Sequence, residues 1–207
     1  MEKSPSKQKI LDEALRLFSI NGYEATSIRQ ISDAVGIQKA SLYSHFTSKQ
    51  EILLTLIEDL TRFYEETLLF VETDWNNEEE IQKLLPSYSE DDIFQMVKEQ
   101  LLMVIHDPNI SMMRKLLIVE QFRHPELASL YSRFDYTDVL DFYKGMTQYL
   151  IDKGVFMDEG VEAMAMEFMA PIYTQINRIQ REPECEEDAM RIVEQHIKHL
   201  FRLYSRK

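Results

Sequence analysis

The chain has 207 residues, 44% hydrophobic and 29% charged, which suits one large domain or a small domain attached to a larger one. Its single cysteine, Cys185, excludes an internal disulfide and offers too few thiolates for a zinc cluster, and no apolar run approaches the ~20 residues needed to span a bilayer. The net charge of −13 opposes non-specific nucleic-acid binding but is unevenly placed: residues 1–53 hold seven Lys or Arg against six acids, the remainder 16 against 30. With a polar N-terminal stretch that lacks the apolar core of a signal peptide, the chain reads as cytoplasmic.

Hydrophobic spacing is helical throughout and predicts an all-α fold of about nine helices with no sheet. Ile10, Ala14, Leu17 and Phe18 mark one face of a first helix, which Asn21-Gly22 ends through a left-handed cap. Ser27 opens a short second helix, with Gln30 as its capping-box partner and Ile28, Ile31 and Ala34 facing inward. Val35-Gly36-Ile37 turns into a third helix over about 38–46. Ser48 and Glu51 open a fourth, whose apolar positions, from Leu53 through Leu56, Leu60 and Tyr64 to Leu68 and Val71, repeat at helical spacing over 49–72. A short acidic helix ends at Pro86, and further helices are expected over 90–106 and 110–123. Another runs from Pro125 to about 153, with a candidate interruption at 135–138. The last two span about 159–181 and 185–205, the first of them carrying Pro171, where a kink is expected.

Thr26 to Lys49 is the informative stretch. Two short helices meet at a glycine turn, and the second has an apolar side, Leu42 and Phe46, and a polar side, Gln38, Lys39, Ser41, Ser44 and His45. Such a helix can enter a DNA major groove while its apolar side anchors it to the domain. Small residues at Ala40 and Ser41 permit close approach to base edges. Lys39 and Lys49 stand where phosphates flank the groove, and Thr26 and Ser27 precede a helix amino end that favours an anion.

From Ile10 to Leu53 the sequence resembles the tetracycline-repressor (TetR) family: Leu17-Phe18, Asn21-Gly22-Tyr23, Thr26-Ser27, the stretch Ile31 to Gly36, then Leu42-Tyr43-Ser44-His45-Phe46 and Ser48-Lys49. The resemblance implies that Arg29, Gln38, Lys39, Ala40 and Ser41 face bases or the adjoining backbone, and that Thr26, Tyr43, His45 and Lys49 grip phosphates. Alanine at 40 departs from the glycine many members carry, which bears on operator preference rather than fold. Tyr43 also has a packing reading against the first helix, and His45 that of a structural histidine.

The resemblance further implies a helix-turn-helix DNA-binding domain over 1–50 and a ligand-sensing, dimerising domain over 51–207. The helix over 159–181 is apolar nearly all round, so it needs burial on both sides, and a second copy of the chain is one partner. Ala163, Ala170, Thr174, Val193, Ile197 and Leu200 are the candidate dimer residues, since the family builds a four-helix interface from its last two long helices. Residues 94–149 are rich in aromatics and methionines. Phe94, Met103, Glu120, Phe122, Phe134 and Tyr143 are candidates to line a cavity for a small apolar or amphipathic effector, against the plainer reading of an ordinary core. Glu120 and Glu167 stand in apolar runs, where a carboxylate can meet a cationic ligand. His196 and His199 lack a third ligand for a metal, and no catalytic motif appears, so neither an enzyme nor a cofactor is expected. The expected activity is that of a ligand-responsive repressor on a palindromic operator. The alternative is a DNA-organising or protein-interaction module of the same fold without an inducer.

Overall fold

The computed structural model describes residues 4–67 and 73–206; Leu68 and Val71 of the predicted fourth helix lie outside them. In chain order the helices are α1 (Pro5–Asn21), α2 (Ile28–Val35), α3 (Lys39–Tyr43), α4 (Lys49–Thr67), α5 (Glu78–Leu84), α6 (Glu90–His106), α7 (Pro108–Glu120), α8 (Pro125–Ser132), α9 (Asp138–Asp152), α10 (Val161–Arg181) and α11 (Glu186–Tyr204). Strand pairing among the described residues is limited to one isolated antiparallel bridge, Phe156 with Ser205. The helices form two compact units. The first holds the chain up to Thr67 together with Pro108–Ser132; the second holds the rest. A packing unit thus reaches beyond the boundary expected at residue 50, through α4 and on to α7 and α8.

In the first unit α1 is central, packing on α2, α4 and α7. Ile10, Leu11, Ala14 and Phe18 are fully buried on it, and Ile31 of α2, Ile52 and Leu56 of α4 and Leu116 and Leu117 of α7 are buried in the same unit. Gly22 ends α1 at φ +82°, a conformation that side chains resist. The predicted capping box of α2 is present, with the Ser27 hydroxyl accepting from the Gln30 N–H and the Gln30 side chain accepting from the Ser27 N–H. Gly36 closes α2 in the left-handed conformation. Helix α3 has five residues, fewer than the predicted 38–46, because its last turn loosens at Ser44. So short a helix is not stable alone. Burial of Leu42 and Phe46, 0% and 1% exposed, holds it against the unit.

The second unit packs α10 against α9, α11 and α6. Tyr143 of α9 is fully buried and stacks on Phe168 of α10, while Phe156 meets Phe201 edge-on at 4.9 Å. The helix predicted from Pro125 to about 153 is broken where the interruption was anticipated: a π-helical turn, Arg133–Thr137, separates α8 from α9 and coincides with the boundary between the units. Pro171 lies inside α10 without ending it. Val193 and Ile197 are at most 1% exposed because they form the inward stripe of α11, and the expectation that they face a partner is corrected on that ground; Leu200, 2% exposed, borders the outer groove of α10 and α11. Ala163, Ala170 and Thr174 of α10 are exposed.

Among the described residues no helix is long and apolar enough to cross a membrane, and no group of three or more His, Cys, Asp or Glu is placed to hold a metal.

The lone tryptophan reports on the second unit. The Trp75 indole lies against α9, 5.2 Å from the Phe142 ring, and a Cβ at Gly145 would come within 2.1 Å of it. Gly145→Ala is therefore expected to displace the indole and destabilise the protein by about 1–3 kcal/mol, as overpacking does. Because the chain has one tryptophan, a red shift of its emission together with a lower urea midpoint checks this.

Candidate nucleic-acid interface

Helix α3 presents its polar side to solvent. Gln38, Lys39, Ala40, Ser41, Tyr43 and Ser44 are all exposed, and His45 is half-buried. Gln38 occupies the N-cap position of α3 in extended backbone, yet its side chain makes no cap bond, so its amide is held at the helix start without being consumed there. The Lys39 ammonium lies 5.7 Å from the centre of the Tyr43 ring, one turn along the same face. The Ser44 hydroxyl is turned inward to the Ser41 carbonyl at 2.7 Å.

Helix α2 supplies the opposite wall. Arg29 points outward, 3.7 Å from Asp33, both strongly exposed; such a surface pair holds its partners weakly. Arg29, Asp33, Ile37, Gln38 and Lys39 line an open groove of about 610 Å³ between α2 and α3. Asp33 and Ile37 were not read from the sequence as site residues, although Asp33 stands one helical turn after Arg29, the spacing of an ion pair.

Two expected phosphate contacts are corrected by the geometry of the loop between α1 and α2. The Lys49 ammonium donates to the carbonyls of Tyr23 at 2.7 Å, Glu24 at 3.3 Å and Thr26 at 2.9 Å, so its three donors are spent on the protein. It also lies 4.1 Å over the Tyr23 ring. Thr26 is 1% exposed, and its hydroxyl donates to the Gly22 carbonyl at 2.8 Å. Ser27 stays exposed at the amino end of α2, its hydroxyl engaged in the capping box.

The candidate effector residues divide between the units. Glu120 and Phe122 belong to the first; Phe94, Met103, Phe134 and Tyr143 belong to the second. Glu120 is completely buried, and its Oε1 accepts the Tyr23 backbone N–H at 2.7 Å, so the expectation of a ligand-facing carboxylate is corrected. Phe122 is 91% exposed and lines nothing within its unit. Phe94 borders an open surface groove of about 660 Å³ with Lys98, Met190 and Arg191 among its neighbours. Phe134 and Tyr143 are buried, and burial pushes the Tyr143 hydroxyl well above the ordinary phenol range. Glu167 accepts the Tyr204 hydroxyl, and its backbone carbonyl meets His196 Nε2 at 2.7 Å.

On the outer side of α10 and α11, Met166, Ala170, Pro171, His199 and Leu203 border a shallow, mostly apolar groove of about 440 Å³.

Comparison with known proteins adds five findings. The model of the bacterial regulatory proteins of the tetR family matches residues 10–56. The biofilm operon icaADBC HTH-type negative transcriptional regulator IcaR of Staphylococcus epidermidis is 43% identical over 63 residues, 30% of this chain and 34% of that protein. IcaR of Staphylococcus aureus is 52% identical over 46 residues, 22% of this chain and 25% of that protein, so the matches span a third or less of these relatives. Among solved structures, a tetR-family transcriptional regulator from Mesorhizobium loti superposes over 99% of this chain and 100% of its own with a TM-score of 0.67 at 18% identity. SmeT in complex with triclosan gives 0.66 at 19% identity over 99% of this chain and 93% of its own, and these two likenesses establish the fold.

Lys49 offers a clean measurement. Lys49→Met keeps the aliphatic stem and removes three charge-assisted bonds to carbonyls, an expected loss of about 1–3 kcal/mol in unfolding free energy. The salt dependence of DNA binding should keep its slope. A phosphate contact would instead lower that slope by roughly one per subunit and leave stability nearly unchanged.

Proposed function

We propose that this chain, a member of the bacterial tetR family of regulatory proteins through residues 10–56, is a cytoplasmic transcriptional repressor that binds a palindromic DNA operator as a homodimer. The observation that carries the reading is the construction of α3: Leu42 and Phe46 seal its inner side while Gln38, Lys39, Ala40 and Ser41 stand out from the surface with no competing internal role. The short helix can then lie in a major groove, its amino end toward base edges, with Arg29 and Tyr43 reaching the flanking backbone. Lys39 adds a cation on the same face.

The outer face of α10 and α11 supports the dimer. It is apolar, shallow and built around the small Ala170, which lets two helices approach closely. A two-fold axis there makes the surface self-complementary, as an isologous dimer requires. The effector is assigned to the second unit. There the Gln100 Oε1 and the Thr147 Oγ1 are buried with no hydrogen-bond partner among the described residues, in a unit whose buried residues include Met96, Phe142, Tyr143, Met146 and Phe168. A small amphipathic molecule with a donor group suits such an interior. Its binding would favour one of two arrangements of the dimer and so release or secure the operator.

Selection of bound duplexes from a random DNA pool tests the reading. It should enrich an inverted repeat whose half-sites lie one helical turn apart, about 34–36 Å, or a multiple of it; enrichment of no sequence rejects it. On the selected duplex, Gln38→Ala should relax preference at one symmetric base pair per half-site, a discrimination of about 1–3 kcal/mol, while the salt slope stays near its original value. Ala170→Arg should leave the fold intact, shift the sedimentation coefficient to that of a monomer and abolish tight operator binding. Native protein sedimenting as a monomer at micromolar concentration rejects the dimer.

A further inference from the structure

We infer that Glu120 is a positioning residue for DNA binding: with Lys49 it clamps the α1–α2 loop and thereby fixes the amino end of α2, one wall of the DNA-facing groove. The inference rests on the DNA-binding reading and adds to it a residue outside the helix-turn-helix. The loop offers polar backbone at both poles, and the two side chains meet it with opposite charge. Glu120, at the carboxyl end of α7, takes the Tyr23 N–H at 2.7 Å. Lys49, at the start of α4, takes the carbonyls of Tyr23, Glu24 and Thr26. One residue, Tyr23, is therefore held by its N–H from α7 and by its C=O from α4.

Three further features fit a clamp. A Cβ at Gly22 would stand 2.9 Å from Glu120 Oε1, so the glycine is what lets the carboxylate reach the next N–H. The Tyr23 ring is packed edge-on against Phe18 at 5.3 Å and against His124 at 5.5 Å, the latter one turn past Glu120. His124 Nε2 lies 3.4 Å from the second carboxylate oxygen. Thr26 then closes the loop onto the Gly22 carbonyl and hands the chain directly to Ser27, the N-cap of α2. A carboxylate buried at 0% exposure is costly unless it is paired; here one oxygen takes the loop N–H, while the other, beside His124, has no hydrogen-bond partner among the described residues, so the loop bond is the hydrogen bond that engages this side chain. A change in α7 thus reaches α2 through this carboxylate.

The test uses the full chain as Glu120→Gln, Glu120→Leu, Lys49→Met and the Glu120→Gln/Lys49→Met pair, with the duplex selected from random DNA and a shuffled duplex of equal length. Affinities are measured at a temperature where circular dichroism shows every variant fully folded. Glu120→Leu, which fills the site but accepts no hydrogen bond, should bind the selected duplex roughly tenfold or more weakly, in line with loss of a charge-assisted bond, and the shuffled duplex about as before. Glu120→Gln keeps an acceptor and should fall between. The pair should lose less than the product of the single losses, since the two groups hold one loop. The Tyr23 amide proton should move upfield in Glu120→Gln, a change that general destabilisation does not produce. Wild-type-like affinity in Glu120→Leu, multiplicative losses in the pair, or an unmoved Tyr23 amide overturns the clamp while leaving the operator reading intact. Wild-type protein that enriches no sequence overturns the operator reading and this inference with it.

Discussion

A loop that carries the chain from one buried helix to the next must find partners for its peptide groups. In this protein that requirement falls on the five residues from Gly22 to Thr26. Their N–H and carbonyl groups sit at the edge of a well-packed unit, where a lost bond costs more than an ordinary surface one. Thr26 satisfies one carbonyl from within, Lys49 satisfies others from α4, and Glu120 accepts the Tyr23 N–H from α7. Everything downstream inherits the result. Helix α2 begins at Ser27, Gly36 sets its exit, and the five-residue α3 follows with little helical stability of its own. The polar surface that faces outward is thus placed by tertiary packing rather than by helix propensity.

The parts of this arrangement that were legible in the sequence are the local ones. A capping box joins residues three apart, and a glycine cap or a helix-opening proline is a property of one position; Ser27, Gly36 and Pro125 were read correctly for that reason. Leu42 and Phe46 were legible because four-residue spacing defines a helix face. Longer-range pairings were not. Glu120 and Tyr23 are 97 residues apart, and an acid in an apolar run announces that a partner exists without saying which. A ligand cation and a loop N–H are equivalent to such a carboxylate. Lys49 and Thr26 failed in the opposite way: as polar residues beside a DNA-binding motif they read as outward-facing, while the loop carbonyls and burial turn them inward. For α10 and α11 the apolar pattern had two sides, and periodicity cannot say which is inner. Val193 and Ile197 form the inner stripe, Leu200 stands at its edge, and the outer side is carried by smaller or mixed residues such as Ala170, His199 and Leu203.

Charge limits how the exposed face can work. The strongly acidic remainder of the chain gives no general attraction to phosphates, so the operator binding proposed above would depend on a few cations near the N-terminus. Lys49 is spent internally and Arg29 is lightly paired, which leaves Lys39 as a prominent cation on the groove. Under that proposal the protein would gain little from sliding contacts and depend on fit at the base edges, through the Gln38 amide and the small Ala40 and Ser41 side chains.

The membership of α7 and α8 in the first unit bears on how such a unit can be exchanged between proteins. A crossover near residue 50 would transplant α1 without the helix that covers it, exposing Ile10, Leu11 and Phe18 and leaving the Tyr23 N–H without its carboxylate. A chimera that keeps its footing has to import Pro108–Ser132 along with the head, or find in its new host a helix with an acid at the equivalent place. Portability of the first unit is therefore a property of two stretches of sequence that recombination does not naturally move together.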